Sequence, residues 1–206
     1  MINSEPCRLA VLISGNGTNL QALIDSCSSG ILPAKVVVVV SNRNDAYGLE
    51  RARQAGIATL IKERKTGQDW REYDGELSRE LLAYSPEWIV LAGWMRILSI
   101  KFLGEFPNRV INIHPALPGT FTGTHAIERA FIAYQKGEIE QTGVMIHYVP
   151  DEGVDCGPIL NQEIVPIHPT DTIETLENRV HSVEHKLIVE TLANLIQISS
   201  NNQVLL

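Results

Sequence analysis

The sequence predicts an α/β fold, a doubly wound and mostly parallel sheet with helices on both faces. Two observations carry this. First, short apolar runs rich in β-branched residues alternate through the first half with segments whose apolar residues recur at helical spacing. Second, the runs RLAVLIS (8–14), AKVVVVVS (34–41) and WIVLAG (88–93) are apolar almost throughout. That is the pattern of strands covered on both faces, not of strands with one wet face. No linker, repeat or low-complexity stretch interrupts the chain, so a single domain is expected over 1–206, with its core at about 8–198 and a loose tail, SSNNQVLL.

Each element follows in order. After the first strand, NLQALIDSC (19–27) is the first helix, and AKVVVVVS is the second strand. YGLERARQAG (47–56) is a helix closed by Gly56, and IATLI (57–61) a third strand. In DWREYDGELSRELLAY (69–84), Asp69 stands three residues before Glu72, the spacing of a helix cap. WIVLAG and RVINIH (109–114) supply two more strands. TGVMIHYV (142–149) and PILNQEIVPI (158–167) are strands separated by the polar loop PDEGVDCG. A long helix covers roughly 171–198, with Asp171 and Glu174 at cap spacing.

Composition narrows the function. The chain has 206 residues, 44% hydrophobic and 20% charged, with a net charge of −7. Nucleic-acid phosphates are held by clustered Lys and Arg, so a nucleic-acid partner is not expected. No apolar stretch approaches the ~20 residues of a membrane span, and the start of the chain lacks a signal peptide's charged region and cleavage site. Three cysteines without metal-like spacing, Cys7, Cys27 and Cys156, suit a reducing compartment. A cytoplasmic location is expected, with small molecules as partners; monomer and homodimer stay open.

Three stretches carry chemistry. SGNGTN (14–19) lies between a strand and a helix. Its glycines let backbone N–H groups approach an anion at a helix N-terminus. Leu20 occupies the third position of a dinucleotide fingerprint, and no Gly-Lys-Ser/Thr follows, so neither that fingerprint nor a P-loop is met. Two readings remain: a single-phosphate cradle of Gly17, Thr18 and Asn19, or a tight turn. In RVINIHPALPG, Asn112 and His114 are two apart and share a strand face, with Pro115 ending the ladder. An amide donor beside an imidazole at the carboxyl end of a strand suits a carbonyl that becomes an oxyanion, although an isolated pair of this kind reads first as a capping Asn and a structural His. An imidazole that must stay charged needs a carboxylate, and Asp151, Glu152 and Asp155 are the candidates. Among them Asp155 stands out because Gly153 and Gly157 free the backbone around it; the other reading, which the loop alone favours slightly, is a solvated acidic turn.

Other features point less clearly. HSVEH (181–185) matches a zinc-peptidase pattern. A third ligand is expected well downstream, where only Glu190 remains, so no metal is expected. The segment reads as a polar helix face, or as Glu184 holding sugar hydroxyls. Cys156 reads as structural, since no imidazole base can be assigned to it. WMRIL (94–98) is either core or, through Trp94 and Met95, an apolar ligand slot.

Taken in order, SGNGTN, NRNDAYGLERA, LAGWMRIL, INIHPALPG, TGVMIHYV with DEGVDCGPIL, and RVHSVEHK resemble the phosphoribosylglycinamide formyltransferases, folate-dependent enzymes of purine synthesis. The resemblance covers about 8–196. It implies a Rossmann-like formyltransferase fold and formyl transfer from 10-formyltetrahydrofolate, a cosubstrate, to the amine of glycinamide ribonucleotide, without a metal. It implies catalytic roles for Asn112, His114 and Asp155. The substrate phosphate would meet Gly15, Asn16, Gly17, Thr18 and Asn19, with Glu184 at the ribose. Folate would meet Trp94, Met95, Arg96, Ile97, Leu98, Val149, Pro150 and Asp151. Several members carry a lysine near the phosphate where this chain has His181, which implies binding that weakens as pH rises. Related possibilities are methionyl-tRNA formyltransferase, expected to carry a further RNA-binding domain, and formyltetrahydrofolate deformylase, expected to carry an N-terminal regulatory domain. A nucleotide-binding module without catalysis would leave Asn112, His114 and Asp155 unexplained.

Overall fold

A computed structural model describes residues 5–203, with side chains through Ser199. Seven strands form one sheet: β1 (Cys7–Ile13), β2 (Ala34–Ser41), β3 (Ala58–Ile61), β4 (Trp88–Leu91), β5 (Val110–His114), β6 (Gln141–Tyr148) and β7 (Ile159–Pro166). Their order across the sheet is β3-β2-β1-β4-β5-β6-β7. The first five run parallel; β6 and β7 join antiparallel. The helices are α1 (Thr18–Ser28), α2 (Tyr47–Gln54), α3 (Trp70–Leu82), α4 (Ile100–Leu103), α5 (Ala126–Gln135) and α6 (Ile173–Gln203).

Alternation along the strands splits the apolar residues between two cores. Leu9, Val11 and Ile13 of β1 pack on one face with Leu20 and Leu23 of α1, Leu49 of α2 and Val180, Leu187 and Ile188 of α6. Ala10 and Leu12 point to the other face, against Tyr73, Leu77 and Leu81 of α3 and Phe102 of α4. Central strands are therefore dry on both sides, as their unbroken apolar composition requires. On β5, Ile111 and Ile113 go to the first core and Val110 to the second. That puts Asn112 and His114 on the α3 side.

The expected strands and four of the helices are present, with boundaries within a few residues. The cap at α3 forms: the Asp69 carboxylate accepts from the N–H groups of Arg71 (2.9 Å) and Glu72 (3.1 Å). The start of α6 differs from expectation. Thr172 and Thr175 cap it reciprocally, while Asp171 turns to Arg179 at 2.6 Å and 2.7 Å. The tail expected to be loose from Ser199 is helical as far as Gln203; its last three residues lie outside the described residues. Two helices were not anticipated. Four residues are too few for periodicity to reveal α4. The pattern of α5 was available in buried Ala126, Ile127, Ala130 and Ala133, behind a Gly- and Thr-rich stretch that reads as loop.

Candidate active site

The first five strands end their carboxyl ends on one rim, and the chain uses that rim for a cavity of about 730 Å³. At one end lies the turn between β1 and α1. Gly17 takes a left-handed conformation (φ 73°) as the residue capping α1. A Cβ there would come 2.8 Å from the Gly48 Cα of α2, so both the conformation and the close approach require glycine. Gly15, Asn16, Gly17, Thr18 and Asn19 all line the cavity, as do His181 and Glu184 of α6. Glu184 is buried, and its carboxylate lies 2.6 Å from His181 Nδ1. This contact raises the His181 pKa above its ordinary value, burial opposing it only in part. His181 and Glu184 thus form a pair one turn apart on the helix, while the Nε2 of His185 is buried without a partner. Among the described residues no three His, Cys, Asp or Glu side chains gather as a metal site.

Asn112 and His114 of β5 meet Asp155, distant from them in sequence, in the same cavity lining. Asn112 Nδ2 donates to Asp155 Oδ1 at 3.0 Å, and His114 Nδ1 lies 3.3 Å from Asp155 Oδ2. The N–H of Gly123 donates to the same Oδ2 at 2.7 Å. Burial works against ionisation of Asp155, but the Gly123 N–H and His114 at its carboxylate hold its pKa below the usual carboxylate value. With Nδ1–H given to this carboxylate, the buried His114 Nε2 has no protein partner.

Two expectations about this cluster need correction. A carboxylate partner was expected to keep His114 charged. Burial instead pulls its pKa below the ordinary histidine value, and Asp155 offsets only part of that. At neutral pH His114 is therefore neutral, with an Nε2 lone pair facing away from Asp155. Gly153 and Gly157 were expected to supply the unusual backbone. The left-handed residue is Asp155 itself (φ 51°), and neither glycine has positive φ; aspartate tolerates this region better than most residues. The glycines give room: a Cβ on Gly157 would strike the Tyr148 carbonyl, and one on Gly153 the Cys156 sulfur.

A fourth polar side chain, His147, escaped the sequence reading. It is buried on β6 and pairs in register with Asn112 of β5. Its Nδ1–H donates to the Tyr148 carbonyl at 2.8 Å, so its Nε2 accepts from Asn112 Nδ2 at 3.1 Å. The Asn112 amide thus spends one hydrogen on Asp155 and one on His147. A lone histidine inside an apolar strand was the available signal.

The far end of the cavity is lined by Trp94, Met95, Arg96, Ile97 and Leu98 after β4, and by Val149 and Asp151 after β6. Trp94 and Leu98 are buried, while Met95 and Ile97 are exposed at the rim. Pro150 does not line the cavity; it packs beside Gly157 instead. Buried Trp94 Nε1 and Arg96 Nε have no protein partner. An apolar slot with unmet donors fits a flat ring system that offers acceptor atoms. Cys156 is exposed and outside the lining. Burial pushes the Cys7 and Cys27 thiols up to about 12 and about 11.

The family model described as formyl transferase matches residues 7–192. The chain belongs to that family. The phosphoribosylglycinamide formyltransferase of Dictyostelium discoideum is 46% identical over 197 residues, covering 89% of this chain and 95% of that protein. The Escherichia coli protein of the same name is 42% identical over 179 residues, covering 87% of this chain and 82% of its own length. The crystal structure of glycinamide ribonucleotide transformylase 1 from Symbiobacterium toebii superposes with a TM-score of 0.85 at 41% identity, covering 93% of this chain and 88% of that one. The seven-stranded α/β sheet is shared with these formyltransferases, and this chain is an enzyme of their kind. No helix among the described residues is long and apolar enough to cross a membrane.

Proposed function

We propose that this enzyme transfers a formyl group from 10-formyltetrahydrofolate to the amine of glycinamide ribonucleotide, giving the N-formyl ribonucleotide of purine synthesis. The observation that carries the assignment of roles is the meeting of Asn112 and His114 with the Asp155 carboxylate, at 3.0 Å and 3.3 Å, in the lining of one cavity. One end offers a glycine turn, a helix N-terminus and Glu184, features suited to a ribose phosphate. The other offers the apolar slot of Trp94 and Leu98 for the folate ring. The partners are small molecules, the location is the cytoplasm, and neither nucleic acid nor metal takes part.

The residues act on the formyl carbon between the two ends. Attack by the amine forms a new C–N bond and moves the carbonyl electron pair onto oxygen. Asn112 donates to that oxyanion, exchanging its acceptor at His147 Nε2 for the formyl oxygen. His114, neutral at the start, takes the proton from the attacking nitrogen at Nε2. The imidazolium so formed is stabilised by Asp155 and returns the proton to the folate nitrogen as the second C–N bond breaks. No covalent enzyme intermediate is required.

The test mixes purified protein with both substrates and a metal chelator and looks by mass spectrometry for the formylated ribonucleotide. Methionyl-tRNA is offered as a rival acceptor. Formylation of the ribonucleotide is the expected result; formylation of the tRNA alone would overturn the reading.

A further inference from the structure

At the phosphate end, the only cation that the lining offers among the described residues is the His181 imidazolium, which is lost as pH rises. The only Lys or Arg in the lining is Arg96, whose guanidinium lies 5.0 Å over the Tyr73 ring on the α3 side. Glu184 adds a buried carboxylate at the phosphate end. A second cation stands behind the glycine turn instead. Arg51 of α2 donates from Nε to the Asn16 carbonyl at 2.9 Å, from Nη2 to the Asn16 side-chain oxygen at 3.0 Å and from Nη1 to Gln21 at 3.2 Å. Its face lies 4.9 Å from the Tyr47 ring. Every oxygen it meets is neutral, and among the described residues no carboxylate pairs with it.

One turn earlier on the same helix, the N–H of Gly48 donates to the Gly15 carbonyl at 3.1 Å. Two successive carbonyls of the turn, Gly15 and Asn16, are therefore held toward α2. In a trans peptide the N–H points opposite to the C=O. Fixing these carbonyls aims the N–H groups of Asn16 and Gly17 away from α2, a pair of adjacent donors that makes an anion nest. The guanidinium on the Asn16 carbonyl also polarises the peptide whose N–H belongs to Gly17.

We propose that Arg51 is the positioning residue of the phosphate subsite: with the Gly48 amide it aligns the Asn16 and Gly17 N–H groups on the cavity side, and it supplies from behind a positive charge that, unlike that of His181, does not titrate. This rests on the reading of the glycine turn as the phosphate end. Arg51 does not touch the reacting atoms, so its removal raises KM for the phosphorylated substrate far more than it lowers kcat.

The experiment compares wild type with Arg51→Gln on glycinamide ribonucleotide and on glycinamide riboside, which lacks the phosphate. The expected result is a KM for the ribonucleotide raised about 10- to 100-fold, the range for losing hydrogen bonds from a charged donor, with kcat/KM for the riboside changed by less than about threefold. A merely structural role would weaken both substrates alike, and that result, or an unchanged ribonucleotide KM, overturns the proposal. Arg51→Lys keeps the charge but cannot span both Asn16 oxygens; it should fall between the two, and it carries the same comparison if the glutamine variant does not fold. Calorimetry with ribose 5-phosphate needs no turnover. Arg51-dependent binding there, without formylation by wild type, would leave the clamp standing and remove the reaction. Formylation with Arg51-independent binding would do the reverse.

Discussion

Asp155 meets its partners through two oxygens, Asn112 on one and His114 with the Gly123 N–H on the other. Its charge is the main influence that raises the His114 pKa against burial. Asp155→Asn removes that influence, so the imidazole titration, already below the ordinary value, should move lower still. NMR of the His114 ring against pH measures it; an upward or absent shift would contradict the pairing. The same variant should lose roughly 10²–10⁴ in kcat, the usual weight of positioned acid–base catalysis. Asn112→Ala should cost about 10²–10³ in kcat, as for one lost oxyanion donor, and a wild-type rate would remove that residue from the mechanism. Asn112 and His114 were legible as a strand-end pair because alternation places them on one face. Asp155 stood out among three acids by its flanking glycines and by the family resemblance, but not by the conformation that places it. Its selection depends on a left-handed backbone that no neighbouring residue announces. His147 was signalled only by being a histidine inside an apolar strand, which reads first as core, because its partnership with Asn112 is set by the register between β5 and β6.

At the scale of elements, α6 carries a titrating pair into the cavity. Glu184 raises the His181 pKa, so the imidazolium persists above the ordinary histidine range and disappears as pH rises through the raised value. With the substrate phosphate at the proposed subsite beside it, losing this cation means weaker substrate binding at higher pH. KM for the ribonucleotide should therefore climb above about pH 7, where the phosphate is already a dianion (second pKa ≈ 6). His181→Gln should start from a higher KM and flatten the climb; an identical pH profile in the variant would dismiss the pairing as a binding device. Elements with strong periodicity were read well, α3 with its Asp69 cap among them. The cap of α6 was misassigned because Asp171, the better cap by type, is drawn off by Arg179. That competition is tertiary and invisible along the chain.

For the whole molecule, the alternation of strands and helices was enough to foresee a covered parallel sheet. It was not enough to foresee that β6 and β7 reverse direction, which comes from the way the chain returns after α5. That reversal sets His147 of β6 opposite Asn112 of β5, and the loop that follows β6 carries Asp155 back to Asn112 and His114. Ligands that bridge β1, β4, β5 and α6 should stabilise the whole fold. At 100 times its Kd a ligand contributes ~2.7 kcal/mol, which for a chain of this size raises Tm by roughly 5–10 °C. A thermal scan with ribose 5-phosphate or a folate analogue checks this, and an unmoved Tm at saturating ligand would argue against the cavity as their site. The three thiols have a practical consequence. Cys7 and Cys27 keep their protons at neutral pH and are at least partly shielded, whereas Cys156 is in the open. A maleimide dye should therefore attach once, beside Asp155, and the natural chain would carry its own fluorescent gauge of how that loop responds to substrate.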